Sequence, residues 1–519
     1  MRKNRIEILT SRLIFIMYAM MMIWLLALLL FFEKSNYYGK ADYVISNLLI
    51  VIGAVVVGIL YIGLKKRNII KEYSKSLNYD QIAKVTAICL LFVQIYIAWN
   101  ILFFAGWDAA GVVNAARELV LGEPSQMSSW YNFSVYPNNL FIVYVQALLL
   151  EINKWIGIFN GDALLMPIVI LNCLINTMSC YLVYKCGRLF VSKKHAFYGF
   201  VATVLIVGLS PWTVVCYSDS LGLLFPILCF YLFVKPYEKK WEKNVAMAGT
   251  AILAGIGFQI KPQCVIMFIA IVLVEIIWGI EKRDRKRTAL TVIGLLVIVI
   301  VFSSGIQKSI KYAYKAAGNE LDDEAAFGLP HFLMMGMNEK SNGVYAPEDI
   351  EFSYNISSKS ERNKKDIERA VKRIQDMGPL GLAKHFSKKM LVLFNDGTFA
   401  WGKEGNFYAV TYDEVNSGVC RLLRSYYYGN EAVNHGTFQM IQKVIWVLIL
   451  LSAAFGVRKN SRYMKEETIL MLAVIGLTLF ELLFEARARY IYIYVPIYCI
   501  LASIGFENIK NVIRERGRK

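Results

Sequence analysis

Apolar runs of about 17 to 25 residues recur along nearly the whole chain, the length a helix needs to cross a ~30 Å hydrocarbon core. Short polar clusters separate them. The pattern predicts helices at about 12–32, 44–64, 85–105, 163–187, 196–211, 220–234, 245–260, 264–280, 289–306, 440–457, 467–484 and 490–506. The expected fold class is an all-α polytopic membrane protein with about twelve transmembrane helices, an outer interfacial or re-entrant helix and a large extracytoplasmic loop.

The polar clusters orient the threading. "KKRNIIKEYSKSLNYDQIAK", "RLFVSKKH", "KPYEKKWEK", "EKRDRKR", "RKNSRYMK" and the tail "ENIKNVIRERGRK" all fall on the side of the N-terminus, which the positive-inside rule makes cytoplasmic. Residues 140–157, "LFIVYVQALLLEINKWIG", are apolar enough to span, but counting them as a span would move every later basic connector outside. They are therefore expected to form an interfacial or re-entrant helix on the outer face, with Glu151 and Lys154 at the water boundary; a thirteenth span is the alternative.

Four segments follow from this threading: a two-helix segment at 1–84; a core at 85–306 with a first outer loop (106–138) and the interfacial helix (139–158); a large outer loop at 307–439; and C-terminal helices with a basic tail at 440–519. The outer loop is too charged to span. Within it "KKDIERAVKRIQDMGP" predicts an amphipathic helix with Ile367, Val371 and Ile374 on one face and Gly378-Pro379 as its stop. "HFSKKMLVLF" is expected on the membrane surface, and the whole loop reads as a cap over an outer site.

Composition supports this reading: 57% of the 519 residues are hydrophobic and 18% charged, far from a soluble domain. The first run is longer than a signal peptide's and lacks a small-residue cleavage site, so it is expected to be retained. The net charge of +18 lies in short clusters between apolar runs, which fits topology and not nucleic acid. Eight of the nine cysteines sit in or beside apolar runs and only Cys420 in a long polar loop, so neither a disulfide framework nor a zinc site is implied.

The threading gathers ionisable groups at outer helix ends, where they persist at membrane depth for a partner or a function. Asp108, two residues past Gly106 in "FFAGWDAAGVV", fits a helix N-cap, a metal ligand or a general base. Lys261, followed by Pro262 and Gln263 in "FQIKPQ", is placed to reach outward, by snorkelling or toward a ligand. Glu485, Arg487 and Arg489 in "FEARARYIYIYVP" suit a phosphate, because a guanidinium donates bidentate hydrogen bonds; an internal Glu–Arg pair is the alternative. Tyr136 in "FSVYPNNL" opens the interfacial helix with Asn138 or Asn139 capping, Asp219 in "YSDSLG" opens the sixth span with helix capping as the alternative, and His331 in "LPHFLMMGMN" is a candidate in the cap with a structural role as the alternative. No phosphate-binding Gly-rich loop, HExxH or Ser/His/Asp set occurs.

The order of these features over about residues 85–506 resembles the GT-C glycosyltransferases. The matching elements are Asp108 in the first large outer loop, the Pro-opened "VYPNNLFIVY", Lys261-Pro262 after an apolar run, and Glu485 to Tyr490 as "E-x-R-x-R-Y". "SPWTVVCYSDSLGLLF" is similar to a stretch of mannosyltransferases related to the second GPI mannosyltransferase, and the chain also resembles bacterial enzymes like protein O-mannosyltransferases. Where the family often has two adjacent acids, Ala109 and Ala110 follow Asp108.

The resemblance implies transfer of a sugar from a polyprenyl-phosphate donor to a glycan, lipid or protein acceptor on the extracytoplasmic face. Asp108 would be the base. Tyr136, Asp219, Lys261, Gln263, His331, Glu485, Arg487 and Arg489 would bind substrate. The metal requirement stays open, with Mg or Mn the candidate cation and Asp108 its candidate ligand. The expected partners are the donor, the acceptor and the bilayer, in a bacterial plasma membrane or, alternatively, the endoplasmic reticulum. A transporter or flippase of lipid-linked glycans and a polysaccharide polymerase or ligase are the rival readings, with a noncatalytic scaffold behind them.

Overall fold

The apolar runs fold as helices, bounded by residues that satisfy their free backbone groups. Asn78, Ser192 and Ser417 accept hydrogen bonds from the amides of Gln81, His195 and Cys420 at helix starts, and left-handed Gly122 and Gly157 close two helix ends. The computed structural model describes residues 5–32, 46–66, 77–122, 131–157, 162–281, 285–411, 417–428, 433–458 and 464–516. Much of the expected basic connectors, at 67–76, 282–284, 459–463 and 517–519, lies outside them.

In chain order, α1 (Arg5–Phe31), α2 (Asn47–Lys66) and α3 (Tyr79–Ile101) precede a short strand, β1 (Phe103–Ala105), and then α4 (Trp107–Leu121) and α5 (Leu140–Ile156). The central helices are α6 (Met166–Phe190), α7 (Lys193–Thr203), α8 (Ser218–Gly222), α9 (Leu224–Val234), α10 (Lys240–Ile260), α11 (Ile266–Glu281) and α12 (Arg285–Ala316). A cap of α13 (Leu329–Gly336), α14 (Pro347–Tyr354), α15 (Lys359–Phe394), β2 (Tyr408–Thr411) and α16 (Gly418–Tyr427) leads to α17 (His435–Ala454), α18 (Met464–Leu483) and α19 (Val495–Arg516).

Eight helices among the described residues are long and apolar enough to cross a membrane: Glu7–Phe31, Tyr79–Ile101, Pro137–Ile156, Met166–Phe190, Pro262–Gly279, Arg285–Ala316, His435–Ala454 and Ala488–Ile513. Asn47–Leu60 and Ser218–Val234 are shorter. The expected run 196–211 breaks where α7 passes into a π-turn at Val204–Gly208, and α18 carries Lys465, Glu466 and Glu467 in its first turn.

Contacts sort the helix ends into two groups. At one end Asp80 pairs with Arg188 and, at 2.7 Å, Lys193, while Arg458 reaches Glu467 at 2.7 Å and Glu507 at 3.7 Å. These groups border the basic connectors. At the other end lie the C-termini of α3, α10 and α18 and the N-termini of α8, α11 and α17. Helix α5 is tied to groups near this second end: Gln146 donates to the Cys216 carbonyl at 2.7 Å and Asn153 to that of Leu164, just before α6, at 2.6 Å.

Several expected boundaries change. The third span stops at Ile101, because Phe103–Ala105 pairs antiparallel with Tyr408–Thr411, placing Phe103 opposite Thr411 and Ala105 opposite Tyr408. Helix α12 runs on to Ala316, past the expected end of its span at 306. Gly378-Pro379 is the stop expected of the amphipathic helix: Gly378 takes a non-helical φ of 60°, and a second helical stretch follows directly to Phe394. "HFSKKMLVLF" therefore does not lie on the membrane. Its residues Met390–Phe394 are buried in the main core.

Candidate functional site

The second end holds a buried ion network whose members come from distant parts of the chain. Asp219, in the first turn of α8, is fully buried, with Tyr217 rather than Asp219 at the N-cap. One of its oxygens accepts from Lys261 and the other from Arg489 Nη1 at 2.8 Å. Lys261 thus does not reach outward: 5% exposed, it is paired with Asp219 and lies 4.6 Å from the centre of the Tyr490 ring. Pro262 opens a short 3-10 turn into α11, and the extended backbone of Lys261 turns its side chain inward. A buried charge is retained only when paired, and here the partner lies 42 residues away in sequence.

The hinge between α18 and the 3-10 turn Ala488–Tyr494 supplies the arginines. Arg489 stacks on Trp107 and Tyr490, its guanidinium 4.9 and 4.8 Å from their ring centres. From the cap, Glu404 bridges both arginines, with Oε1 3.0 Å from Arg489 Nε and Oε2 3.2 Å from Arg487 Nη1. Glu485 accepts from Arg487 Nε at 3.3 Å and from the Tyr490 hydroxyl at 3.1 Å. Three cations, Lys261, Arg487 and Arg489, thus face three carboxylates, Asp219, Glu404 and Glu485.

Asp108 stands at the rim of this network, half-buried, in the first turn of α4 behind an N-cap at Gly106. The cap expectation is therefore corrected. Gly106 is required there, since a Cβ would collide with the Asn406 carbonyl that its amide bonds at 3.1 Å. The intervening Trp107 takes φ 46°, a left-handed conformation that costs a non-glycine residue strain and fixes the direction of Asp108. Asp108 Oδ2 accepts from the Tyr217 hydroxyl at 3.4 Å. Burial raises the carboxyl to about 6; Arg489 lowers it, and Glu485 and Glu404 raise it further.

Asn139 accepts from the Tyr217 hydroxyl at 3.3 Å and donates to the Tyr131 hydroxyl. Asn139 stands at the N-cap position of α5, as expected, but makes no side-chain cap hydrogen bond, because its side chain is spent on these tyrosines. Tyr136 stacks on Tyr131 with ring centres 5.8 Å apart, and burial raises its hydroxyl, with the Asp108 carboxylate adding to the shift. Gln263 donates to Glu481 at 2.9 Å, beneath the network.

His331 is not brought into the network. It is buried in the cap, with Nδ1 2.7 Å from Ser353 Oγ, and burial lowers it to about 4, so it is neutral at pH 7. Sequence reasoning missed Glu404, which carries no local motif, as well as Trp107 and Glu481. A carboxylate followed by Gly405 in an otherwise apolar-aromatic stretch, "FAWGKEGNFY", was the available signal for Glu404. Among the described residues no group of three His, Cys, Asp or Glu side chains is arranged to hold a metal ion.

One family model covers residues 2–510, under the description "Conserved hypothetical integral membrane protein". The chain belongs to that family. No curated protein matches the sequence of this integral membrane protein. Among solved structures it is similar to the Archaeoglobus fulgidus oligosaccharyltransferase in complex with Zn and sulfate: TM-score 0.41, 11% identity, covering 82% of this chain and 50% of that one. The same organism's oligosaccharyltransferase AglB, with an inhibitory peptide and a dolichol-phosphate, gives 0.39, 11%, 84% and 51%. ArnT from Cupriavidus metallidurans bound to undecaprenyl phosphate gives 0.32, 14%, 83% and 77%. The chain spans about half the length of the archaeal structures. These likenesses are remote.

Proposed function

We propose that this integral membrane protein is a GT-C-type glycosyltransferase, which moves a sugar from a polyprenyl-phosphate donor to a glycan, lipid or protein acceptor on the extracytoplasmic side. The observation that carries the reading is the pairing of a rim carboxylate raised to about 6 with a buried arginine pair at one helix-end site. A base poised near neutrality can take the proton of an attacking hydroxyl. Guanidiniums in a low-dielectric site stabilise the charge that grows on a departing phosphate. Asp108 is the base, and Arg487 and Arg489 hold the phosphate, with Lys261 acting through Asp219 to orient Arg489.

The side opposite the basic connectors is the extracytoplasmic side by the positive-inside rule, which supports outward access in a bacterial plasma membrane. Helix α5, bound at that end by Gln146 and Asn153, fits the interfacial assignment. The order of motifs from Asp108 to Tyr490 supports a mannosyltransferase-like subtype. The reading uses no metal ion: among the described residues both oxygens of Asp219 and both of Glu404 face Lys or Arg, and those of Glu485 accept from Arg487 and Tyr490, which leaves Asp108 without a second uncommitted carboxylate beside it.

The test is to incubate the purified protein in nanodiscs with a panel of undecaprenyl-phosphate monosaccharides and to follow sugar-dependent formation of undecaprenyl phosphate. Turnover of at least one donor is expected. A folded protein that binds none of them and turns none over would remove the reading.

A further inference from the structure

The arginine pair already holds an anion. Glu404 spans Arg487 and Arg489 with one oxygen on each guanidinium, at 3.2 and 3.0 Å, the bridging geometry that two oxygens of a phosphate would take. The ion-paired groups balance, Lys261, Arg487 and Arg489 opposing Asp219, Glu404 and Glu485, and the Asp108 carboxylate at the rim adds further negative charge. Adding a phosphate to them would leave unpaired negative charge in a buried place, where charge is costly. Exchanging one anion for another would not.

Glu404 is the member placed to leave. Asp219 is fully buried and tied to two cations, and Glu485 is held by Arg487 and Tyr490. Glu404 instead sits on a short turn between two anchors: Lys403, whose ammonium is 2.7 Å from Asp396, and Asn406, whose carbonyl accepts from Gly106 at 3.1 Å. Glycines flank it. Gly402 has φ +74°, and at Gly405 an added Cβ would meet nothing within 4 Å, so the turn faces open space.

We propose that Glu404 is the resident counter-anion of the Arg487–Arg489 pair, and that the phosphate of a polyprenyl-phosphate ligand displaces it on binding. This rests on the proposed function, in which those arginines hold the donor's phosphate. Glu404 then sets what the pair accepts: an uncharged polyprenol offers nothing to replace the carboxylate, whereas a phosphate replaces both contacts.

The probe is undecaprenyl phosphate, titrated against the full-length protein in nanodiscs, with undecaprenol as the uncharged control. Glu404→Gln keeps the shape and removes the competing charge, so it should bind the phosphate about tenfold more tightly or better, the scale of a charge-assisted contact no longer broken. A second measurement needs no change at 404. On a Cys89→Ser background, where the eight remaining native cysteines are buried, a fluorophore on Gly405→Cys should change emission as undecaprenyl phosphate saturates and stay unchanged with undecaprenol. Equal or weaker binding by Glu404→Gln, or a silent probe at 405 while the parent binds the phosphate, overturns the displacement and leaves the proposed function standing. If neither protein binds the phosphate, both fall.

Discussion

Replacing Asp108 with Asn separates a catalytic carboxylate from a structural one. Asp108 is not the N-cap of α4, and its contact with the Tyr217 hydroxyl is long, at 3.4 Å, so Asn can keep both the helix and that contact. What the change removes from stability is an acidic residue near a helix N-terminus, typically about 0.3–1 kcal/mol. What it removes from catalysis is a base, typically about 10² to 10⁴ in rate, or roughly 2.7–5.4 kcal/mol of barrier. The rate should therefore drop at least about a hundredfold while the melting temperature barely moves. The assay is turnover of a responding undecaprenyl-phosphate sugar, with thermal unfolding and undecaprenyl phosphate binding measured on the same sample.

The pH dependence gives the same prediction a sign. A base works deprotonated, and burial holds Asp108 at about 6, so kcat/KM should be level above that value and fall about tenfold per pH unit below it. In Asp108→Asn that limb should vanish from whatever activity remains. Glu118→Gln, near the far end of α4, should keep both rate and limb. Near-parent turnover by Asp108→Asn, or a limb that survives it, would refute the assignment of the base.

Two other predictions concern the ion network and the threading. Lys261→Met should destabilise the protein by about 3–5 kcal/mol, read as a lowered melting temperature, because it leaves buried Asp219 with one cation fewer; unchanged stability would mean that the pair is not buried in the membrane-embedded protein. Cysteines replacing exposed Lys239 and Arg285 should react with a membrane-impermeant maleimide only from the cytoplasmic side, and one replacing Lys364, whose side chain is 78% exposed in the cap, only from outside.

Much of the scaffold could be read along the chain because helix length and apolar period are local properties. Asp108, Asp219, Lys261, Arg487 and Arg489 could be named for a related reason: an ionisable group at the end of an apolar run stands out against its neighbours. Their partners could not. Phe103–Ala105 looks like the last turn of an apolar helix and becomes a strand only because Tyr408–Thr411, some 300 residues later, pairs with it. Lys261 was expected to reach water, since Asp219 is invisible from its neighbourhood. His331 carried the chemistry of a site residue, but its buried ring is spent on Ser353 inside the cap. Gly378-Pro379 is a helix stop by local rules and ends the amphipathic helix, while the burial of the second helix beyond it depends on a core that its own sequence does not announce.

The cap, moreover, is part of the site and not a cover for it. Buried Lys389 of α15, its ammonium pushed down to about 7 by burial, donates to the carbonyls of Leu482 at 2.8 Å and Phe484 at 2.6 Å, the free acceptors at the end of α18, and to Gly336 at 2.9 Å. The Ala486 amide donates to the Gly343 carbonyl at 2.8 Å, and Gly336 approaches Leu483 and Phe484 so closely that no Cβ would fit. The hinge that carries Glu485, Arg487 and Arg489 is therefore held on one flank by α13 and α15, while Glu404 reaches the arginines from the segment leading into β2. That strand in turn braces the turn before Asp108 through its ladder with β1. A bundle of spanning helices without residues 317–434 would keep Lys261 and Asp219, but α18 would end in unpaired carbonyls and the arginines would lose a carboxylate that bridges them. Asp108 and the arginine pair are thus positioned by the same segment, through the β1–β2 ladder on one side and Glu404 on the other.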